Sequence, residues 1–310
     1  MRAIVVESPD TLPALREDLA APTPAENEVL VRVHASSANP VDNAIVSNVL
    51  ARMGVEHDYP IILGRDYAGI VEQIGAGVSG YRPGQQVYGF LPGADPTVHA
   101  GAWAELITVT EERSIAPAPD GIDLATAGAA PLAGITALMA VDALELSDGD
   151  VLLVAGATGG VGTLAVQLAA HAGARILAPA LPEDEGYLRE LGVIEILPRD
   201  GDIAALVRES HPGGVDALLD LVNFAPGTYG AALKPDARVA SATMAAGEGP
   251  GRTNVMAVPS PENLRRLGAL LADGTLRVPV QDTYDLAQAP QALAALVAEH
   301  TQGKLAIQVR

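Results

Sequence analysis

A glycine-rich turn at 156–162, Gly-Ala-Thr-Gly-Gly-Val-Gly, has the residue types and spacing that bind a diphosphate. Gly159 has no side chain, so a pyrophosphate can approach its backbone, where free N–H groups and the positive end of a helix dipole meet the negative charge. Gly162 would let that helix pack close to the preceding strand. We expect the whole turn to contact a dinucleotide: Gly156, Ala157, Thr158, Gly159, Gly160, Val161 and Gly162.

The turn departs from the usual dinucleotide spacing G-x-G-x-x-G, whose first glycine would stand where this chain has Ala157. Taken alone, the match is degenerate, and a purely structural glycine-rich turn is the alternative. The context favours a nucleotide site. Residues 151–155 are apolar and β-rich, as in a strand buried on both faces of a parallel sheet, and apolar residues at helical spacing follow the turn.

The elements around the turn predict a doubly wound α/β domain. A second strand at 175–178 completes a βαβ unit, and further strand and helix candidates alternate at 194–197, 203–210, 215–219, 228–233 and 238–241. Proline and glycine divide 20–115 into short strands and turns, which predicts a β-rich first domain. The last 50 residues predict helices at 261–273 and 289–301 and strands at 276–280 and 305–309.

The composition excludes several classes of partner. The chain has 310 residues, a formal net charge of −19 and no basic run, so we expect neither nucleic acid nor an acidic membrane as a partner. No apolar run reaches the roughly 18 residues that a membrane span needs, and the N-terminus lacks a signal-peptide layout, so a cytoplasmic location is the expectation. Cysteine is absent, which excludes disulfides and thiolate nucleophiles.

Several stretches together resemble the medium-chain dehydrogenase/reductase superfamily, and most closely its zinc-free quinone oxidoreductases. The resemblance implies an α/β fold: a chaperonin-10-like, β-rich catalytic domain at 1–120, completed by 260–310, and a Rossmann domain with a doubly wound parallel sheet at 121–259. It also implies a homodimer. The matching stretches span nearly the whole chain: 37–42 (Ser-Ala-Asn-Pro-Val-Asp), 63–69 (Leu-Gly-Arg-Asp-Tyr-Ala-Gly), 101–105, 131–136, 149–162 and 303–305.

The chain departs from the zinc-dependent branch of that superfamily. Zinc alcohol dehydrogenases place a histidine and a glutamate after the glycine where this chain has Arg65 and Asp66, and they need cysteines that are absent here. The six histidines show no metal-ligand spacing. We therefore expect no metal.

The end of the second Rossmann strand bears on the choice of dinucleotide. An NAD enzyme would carry an acidic residue there, whereas this chain has Ala180, which leaves room for the 2′-phosphate of NADP(H). Acidic residues at 183–185 would repel that phosphate if they pointed inward. Arg199, after the third strand, could pair with it, or it could be an ordinary solvated arginine. NADP(H) is the expected cofactor, with NAD(H) not excluded.

The resemblance also implies site residues near the nicotinamide. Asn39 lines that pocket in relatives, although its amide could instead satisfy the turn before Pro40. Asp42 is expected to cap a helix beginning at Asn43. Tyr59 and Tyr67 could protonate an enolate or stack on a quinone, and packing is their alternative role.

Four further residues complete the predicted cofactor site. Thr136 would touch the phosphates on the nicotinamide side, or be an ordinary helix threonine. Ser241 and Asn254 follow the last Rossmann strands, where ligands gather. Lys304, in the closing Gly-Lys pair, would steer the cofactor, although a lone lysine is usually exposed to solvent.

These residues favour a zinc-independent, NADPH-dependent reductase of a small quinone or α,β-unsaturated carbonyl compound. The segment after Asp42 departs from relatives, which carry an aromatic residue, an arginine and a glycine where this chain has Asn43, Val46 and Asn48. A reductase of enoyl or polyketide intermediates is therefore a second hypothesis. A cofactor-binding protein without turnover is a third.

Overall fold

The computed structural model describes residues 1–9, 11–52, 54–55, 57–92 and 100–310, which divide into two compact units. The first unit comprises Met1–Leu132, Val258–Ala272 and Val280–Arg310, and the second comprises Ala133–Ala257 and Asp273–Pro279. These two units are defined by how compactly their residues pack. The domain boundaries expected from the sequence describe segments that would fold independently, and they stay a prediction. No helix in the described ranges is long and apolar enough to cross a membrane.

The first unit is built mainly of short antiparallel strands. In chain order its elements up to residue 129 are β1 (Ala3–Val6), β2 (Ala14–Arg16), β3 (Glu28–Ser37), α1 (Pro40–Val46), α2 (Val49–Arg52), β4 (Ile61–Ile62), β5 (Asp66–Ile74), β6 (Gln86–Phe90), β7 (Leu106–Thr110), β8 (Ala116–Pro117) and α3 (Leu124–Ala129). The helix α4 (Pro131–Ala143) follows. Buried aliphatic residues of β1, β3 and β5 form the core of this unit with Trp103.

The second unit is a parallel sheet with crossover helices. Its elements are β9 (Val151–Ala155), α5 (Gly160–His171), β10 (Arg175–Ala180), α6 (Glu185–Leu191), β11 (Val193–Pro198), α7 (Ile203–Ser210), β12 (Val215–Asp220), β13 (Leu233–Ser241) and β14 (Arg252–Asn254). The strand order is β11-β10-β9-β12-β13-β14, so the connections reverse direction beside β9. Ligands bind at such a switch point in open parallel sheets.

The chain then returns to the first unit through α8 (Pro261–Ala272), β15 (Val280–Asp285), α9 (Ala289–Ala298) and β16 (Lys304–Gln308). In the larger sheet, of order β15-β16-β3-β5-β6-β8, β16 pairs in parallel with β15 and antiparallel with β3. The α/β fold class is thereby confirmed.

Three sequence expectations about elements are wrong. The strand expected at 276–280 begins only at Val280. The observed strand, β15, is a mostly exposed, polar edge strand beside β16, so it lacks the apolar pattern by which a strand is recognised in the sequence. The helix candidate at 228–233 is reduced to one 3₁₀ turn at Gly230–Ala232, since glycines interrupt it. The helix expected to begin at Asn43 begins at Pro40. Proline favours the first position of a helix, because its missing N–H would have no partner there.

Candidate active site

The glycine turn lies at the carboxyl end of β9 and leads directly into α5. Gly156 takes up the left-handed region with φ of 89°, and Gly159 precedes the helix without a side chain to bond its first N–H groups. A 12-residue helix with uncapped N–H groups and a positive dipole end suits an anion. The turn therefore fits a dinucleotide diphosphate.

Gly159 and Gly162 differ in what surrounds them. A Cβ added at Gly159 would meet no atom of the chain nearer than 3.7 Å, so the space beside it is open. A Cβ at Gly162 would lie 2.1 Å from the carbonyl oxygen of Gly156 and 2.7 Å from Cα of Ala157. Gly159 thus leaves room beside the backbone, whereas Gly162 is needed for the close approach of helix and turn.

Ala180 and Arg199 are adjacent at the same end of the sheet. The backbone N–H of Arg199 donates to the carbonyl oxygen of Ala180 at 3.1 Å. Ala180 is buried, while the Arg199 side chain is exposed and makes no recorded ion pair within the described residues. The guanidinium is therefore available beside the strand end where a dinucleotide ribose is expected.

Two of the three acidic residues at 183–185, which follow β10, already have partners within the chain. The Asp184 carboxylate is buried and accepts from the N–H of Leu181 at 3.2 Å. Glu185 pairs with Arg189 at 2.8 Å on α6. Of the acidic residues at 183–185, Glu183 alone is exposed and forms no ion pair with the described part of the chain.

The remaining predicted cofactor residues of the second unit lie on different elements. Ser241 ends β13, and its buried hydroxyl accepts from the N–H groups of Thr243 and Ala245, both at 3.1 Å. Asn254 ends β14 and is exposed, with its amide oxygen accepting from Ala246 N–H at 3.0 Å. Thr136 is buried on α4. Ser241 and Asn254 thus both shape the loop after β13.

In the first unit the structure brings together two predicted residues that are distant in sequence. The Lys304 ammonium donates to the Asn39 amide oxygen at 2.6 Å and to the Ala38 carbonyl oxygen at 3.2 Å. Lys304 is only 4% exposed and Asn39 only 3%. The alternative of a solvent-exposed lysine is therefore ruled out, because β16 pairs beside β3 and carries Lys304 inward, while its role at the cofactor stays a prediction.

Asp42 does not precede the helix as its cap. It lies in the first turn of α1, where its Oδ2 accepts from Asn39 N–H at 2.9 Å and its Oδ1 from Gly64 N–H at 3.1 Å. Burial raises the pKa of Asp42 to about 6, and the nearby Arg65 opposes that rise. The carboxylate thus ties α1 to the segment before β5.

Arg65 is a buried cation at the position where zinc relatives carry a histidine. Its guanidinium donates to the carbonyl oxygens of Ile62 at 3.0 Å, Pro92 at 3.4 Å and Ala100 at 3.5 Å. Its Nε lies 4.0 Å from Asp42 Oδ1. Among the described residues no three histidine or acidic side chains cluster as a metal site requires.

The two tyrosines have packing environments. Tyr67 is fully buried in β5, and its hydroxyl donates to the Ser114 carbonyl oxygen at 2.7 Å. Burial raises the pKa of Tyr67 well above its ordinary value, so the hydroxyl stays protonated. Tyr59 is half-buried and packs against the core of the first unit. These contacts favour the packing role for Tyr67 over proton donation.

The sequence reasoning did not single out Asp66, which the structure places in contact with the predicted site residue Asn39. Its fully buried carboxylate accepts from the Ser37 hydroxyl at 2.6 Å, from Asn39 Nδ2 at 2.8 Å and from Leu132 N–H at 2.6 Å. A signal was present, because an aspartate that opens an apolar strand must find partners.

Comparisons with known proteins agree with this architecture. Residues 25–120 match the alcohol dehydrogenase GroES-like domain, and residues 191–307 match the zinc-binding dehydrogenase family. The chloroplast envelope quinone oxidoreductase homolog of Arabidopsis thaliana is 28% identical over 93% of this chain and 91% of its own length. The solved quinone oxidoreductase of Coxiella burnetii is 28% identical, with a TM-score of 0.87 over 100% of this chain and 99% of that one.

A third relative is much longer. The spectinabilin polyketide synthase system protein NorB of Streptomyces orinoci is 33% identical over 94% of this chain, which spans 13% of that protein.

A GroES-like unit joined to a parallel sheet with a glycine turn at its switch point defines an oxidoreductase that uses a nicotinamide dinucleotide. Within that class, the chain belongs to the medium-chain dehydrogenase/reductase superfamily, and proteins named quinone oxidoreductases are among the relatives it resembles over nearly its whole length. The predicted resemblance is confirmed.

Proposed function

We propose that this protein is a zinc-independent, NADPH-dependent oxidoreductase whose acceptor is a quinone or an α,β-unsaturated carbonyl compound. The observation that carries the proposal is Arg65. A guanidinium bonded to backbone carbonyls fills the position of a zinc-ligating histidine, and the chain has no cysteine, so the residues present do not fit a catalytic zinc.

The chain has no cysteine, and its described residues form no metal-ligand cluster, which restricts the acceptor. A simple carbonyl needs a Lewis acid or a well-placed proton donor on its oxygen, whereas quinones and enones are already electrophilic. When bound, NADPH supplies the hydride, and the acceptor takes up a proton from water or a nearby hydroxyl group. The chain contributes binding and orientation: the turn at 156–162 holds the diphosphate, and Asn39 and Lys304 are the predicted residues for the nicotinamide end.

The preference for NADPH is supported by Ala180 and Arg199. A small residue at the strand end leaves space, and an available guanidinium can pair with a 2′-phosphate through charge-assisted hydrogen bonds. The Asp184 carboxylate is occupied by Leu181 N–H and Glu185 by Arg189, which limits the repulsion that their charges exert on that phosphate.

The test of this preference is Arg199→Ala, titrated with NADPH and with NADH. Loss of one charge-assisted interaction, about 1.5–3 kcal/mol, should raise the Kd for NADPH roughly 10- to 100-fold and leave that for NADH unchanged. Arg175→Ala is the matched control, because Arg175 is also exposed but lies at the opposite end of β10. Equal losses for both coenzymes would contradict the assignment.

A reductase of enoyl or polyketide intermediates is a second candidate function. It is favoured by the similarity to NorB and by Asn43, Val46 and Asn48, which replace the residues usual in quinone-reducing relatives. Coenzyme oxidation measured with quinones, simple enones and enoyl thioesters separates the two functions. Coenzyme binding without oxidation of any of them would instead indicate a binding protein without turnover.

The homodimer and the cytoplasmic location stay predictions. Sedimentation velocity tests the oligomeric state, because the fitted mass of a homodimer should be twice the 31.7 kDa of the chain.

A further inference from the structure

The first unit buries four charged side chains close together: Asp42, Arg65, Asp66 and Lys304. None is more than 4% exposed. Asp42 lies in α1, Arg65 directly precedes β5, Asp66 opens β5 and Lys304 opens β16. The two positive charges balance the two negative ones. Because buried ions are unfavourable unless they are paired and hydrogen-bonded, each of these groups depends on the others.

Asp66 is the member that contacts both residues predicted for the nicotinamide end. Its Oδ2 accepts from Asn39 Nδ2 at 2.8 Å and lies 3.6 Å from the Lys304 Nζ. Asn39 in turn accepts from Lys304 through Oδ1 at 2.6 Å. The three side chains close a ring of contacts in which the carboxylate accepts, the ammonium donates and the amide does both.

We propose that Asp66 is a positioning residue that holds the Lys304 ammonium and the Asn39 amide in one fixed arrangement. The proposal rests on the proposed function in assigning those two residues to the nicotinamide end. The carboxylate fixes the amide orientation, because only Nδ2 can donate to it, and this turns Oδ1 toward Lys304. The ammonium keeps its place because it donates to Asn39 Oδ1 and to the Ala38 carbonyl oxygen and forms an ion pair with the carboxylate.

The charge on Lys304 depends on its neighbours. Burial lowers the pKa of Lys304, and the negative charges of Asp66 on β5 and Asp42 on α1 oppose that decrease. Arg65 also lies in this region, but its nearest charged partner is Asp42. Removing the Asp66 charge should therefore lower the pKa of Lys304 further, so that Lys304 loses its proton at a lower pH.

The sequence makes this directly measurable, because the chain contains only two lysines, Lys234 and Lys304. Lysine labelled with carbon-13 at the ε position gives two signals, which Lys304→Met assigns. In Asp66→Asn, an isosteric change, the titration midpoint of Lys304 should fall by about one pH unit or more. Asp66→Glu keeps the charge and should restore a midpoint near that of the wild type.

Lys234 provides the matched control. It pairs with Asp216, and its side chain is 36% exposed. At a fixed pH the carbon signal of Lys234 should not respond to Asp66→Asn, because Lys234 pairs with Asp216. If Lys304 titrates alike in the wild type and in Asp66→Asn, the proposal is wrong.

A second measurement needs no variant. In wild-type protein labelled with nitrogen-15, the ammonium of Lys304 should give a proton–nitrogen correlation near neutral pH, because burial, two hydrogen bonds and the ion pair with Asp66 slow its exchange. The more exposed Lys234 should give none. Its absence would overturn the proposal even if Asp66→Asn does not fold.

Activity gives the remaining readout. In Asp66→Asn the alkaline limb of kcat/KM should move to lower pH by the same interval as the Lys304 midpoint. Ser37→Ala removes one hydroxyl donor from Asp66 without a change of charge, so it should leave that limb in place. A wild-type protein that turns over no acceptor would contradict the proposed function, while the two spectroscopic measurements would still decide the role of Asp66.

Discussion

Substituting alanine for Gly159 and for Gly162 separates binding from folding within one turn. Gly159 has φ of −71° and ψ of 172°, which alanine adopts without strain, and its Cβ would have open space on the protein side. The unfolding free energy of Gly159→Ala should therefore fall by at most about 1 kcal/mol, the loss expected when alanine replaces glycine before a helix. The new methyl group would instead occupy the space predicted for the diphosphate.

The binding loss follows from that position. Displacing the diphosphate from one backbone N–H removes a charge-assisted hydrogen bond, about 1.5–3 kcal/mol, which corresponds to a rise in the Kd for NADPH of roughly 10- to 100-fold. A fluorescence titration with NADPH measures it. If Gly159→Ala binds NADPH as tightly as the wild type, the diphosphate does not lie against this turn and the reasoning is refuted.

Gly162→Ala, unlike Gly159→Ala, should lower the stability of the fold substantially. Alanine in a helix gains about 0.5–1 kcal/mol over glycine, but a methyl group 2.1 Å from the Gly156 carbonyl oxygen must displace backbone. Overpacking of this kind lowers the unfolding free energy by about 1–3 kcal/mol, and a contact with backbone atoms puts the loss near the upper end of that range. After the gain in helix propensity is subtracted, we expect the unfolding free energy from urea denaturation to fall by about 2 kcal/mol. Gly186→Ala is the control, because its Cβ would meet nothing within 4 Å in α6.

Three further outcomes follow from the buried groups. Tyr67→Phe should lower the unfolding free energy by about 1–3 kcal/mol, because the buried Ser114 carbonyl oxygen loses its hydrogen-bond donor. It should leave the proton-dependent step of turnover unchanged. A selective loss of kcat would show instead that Tyr67 is a proton donor. Burial raises the pKa of Asp42 from 3.8 to about 6, so its contribution to stability is present below pH 3.8 and is lost as the pH rises through 6. Between pH 4 and 7 the stability of the wild type relative to Asp42→Asn should fall by about 2.5 kcal/mol in urea denaturation, and a pH-independent difference would contradict the raised pKa. Dialysis against a strong chelator should leave activity unchanged, whereas loss and recovery with zinc would overturn the metal-free proposal.

The glycine turn and its βαβ unit could be predicted because their signals are local. An apolar run, a glycine cluster and helical spacing occupy 30 consecutive residues, and the structure places β9, α5 and β10 there. The roles of Asn39 and Lys304 came instead from a resemblance, and no local pattern could show that they touch. Their contact joins residues 265 positions apart.

General residue preferences do not hold where the tertiary context is specific. Lysine is usually exposed, and this alternative fails for Lys304, which lies between Asn39 and Asp66 because β16 is an inner strand of its sheet. Aspartate commonly precedes a helix, but here Pro40 takes the first helical position and shifts Asp42 into the first turn. The sequence alone marks Asp66 only as a departure from zinc relatives, because its partners Ser37, Asn39 and Leu132 are between 27 and 66 positions away along the chain.

The place of β16 between β15 and β3 has a consequence for synthesis of the chain on the ribosome. Ala35–Ser37 of β3 emerge about 270 residues before the strand that pairs with them, and at usual elongation rates this interval lasts roughly 15 to 50 seconds. Throughout that time the nascent chain carries an unpaired strand edge, which is a site of aggregation unless a chaperone covers it. The contiguous segment 133–257 has no such delay, so we expect it to acquire structure while the segment that precedes it still awaits its partner.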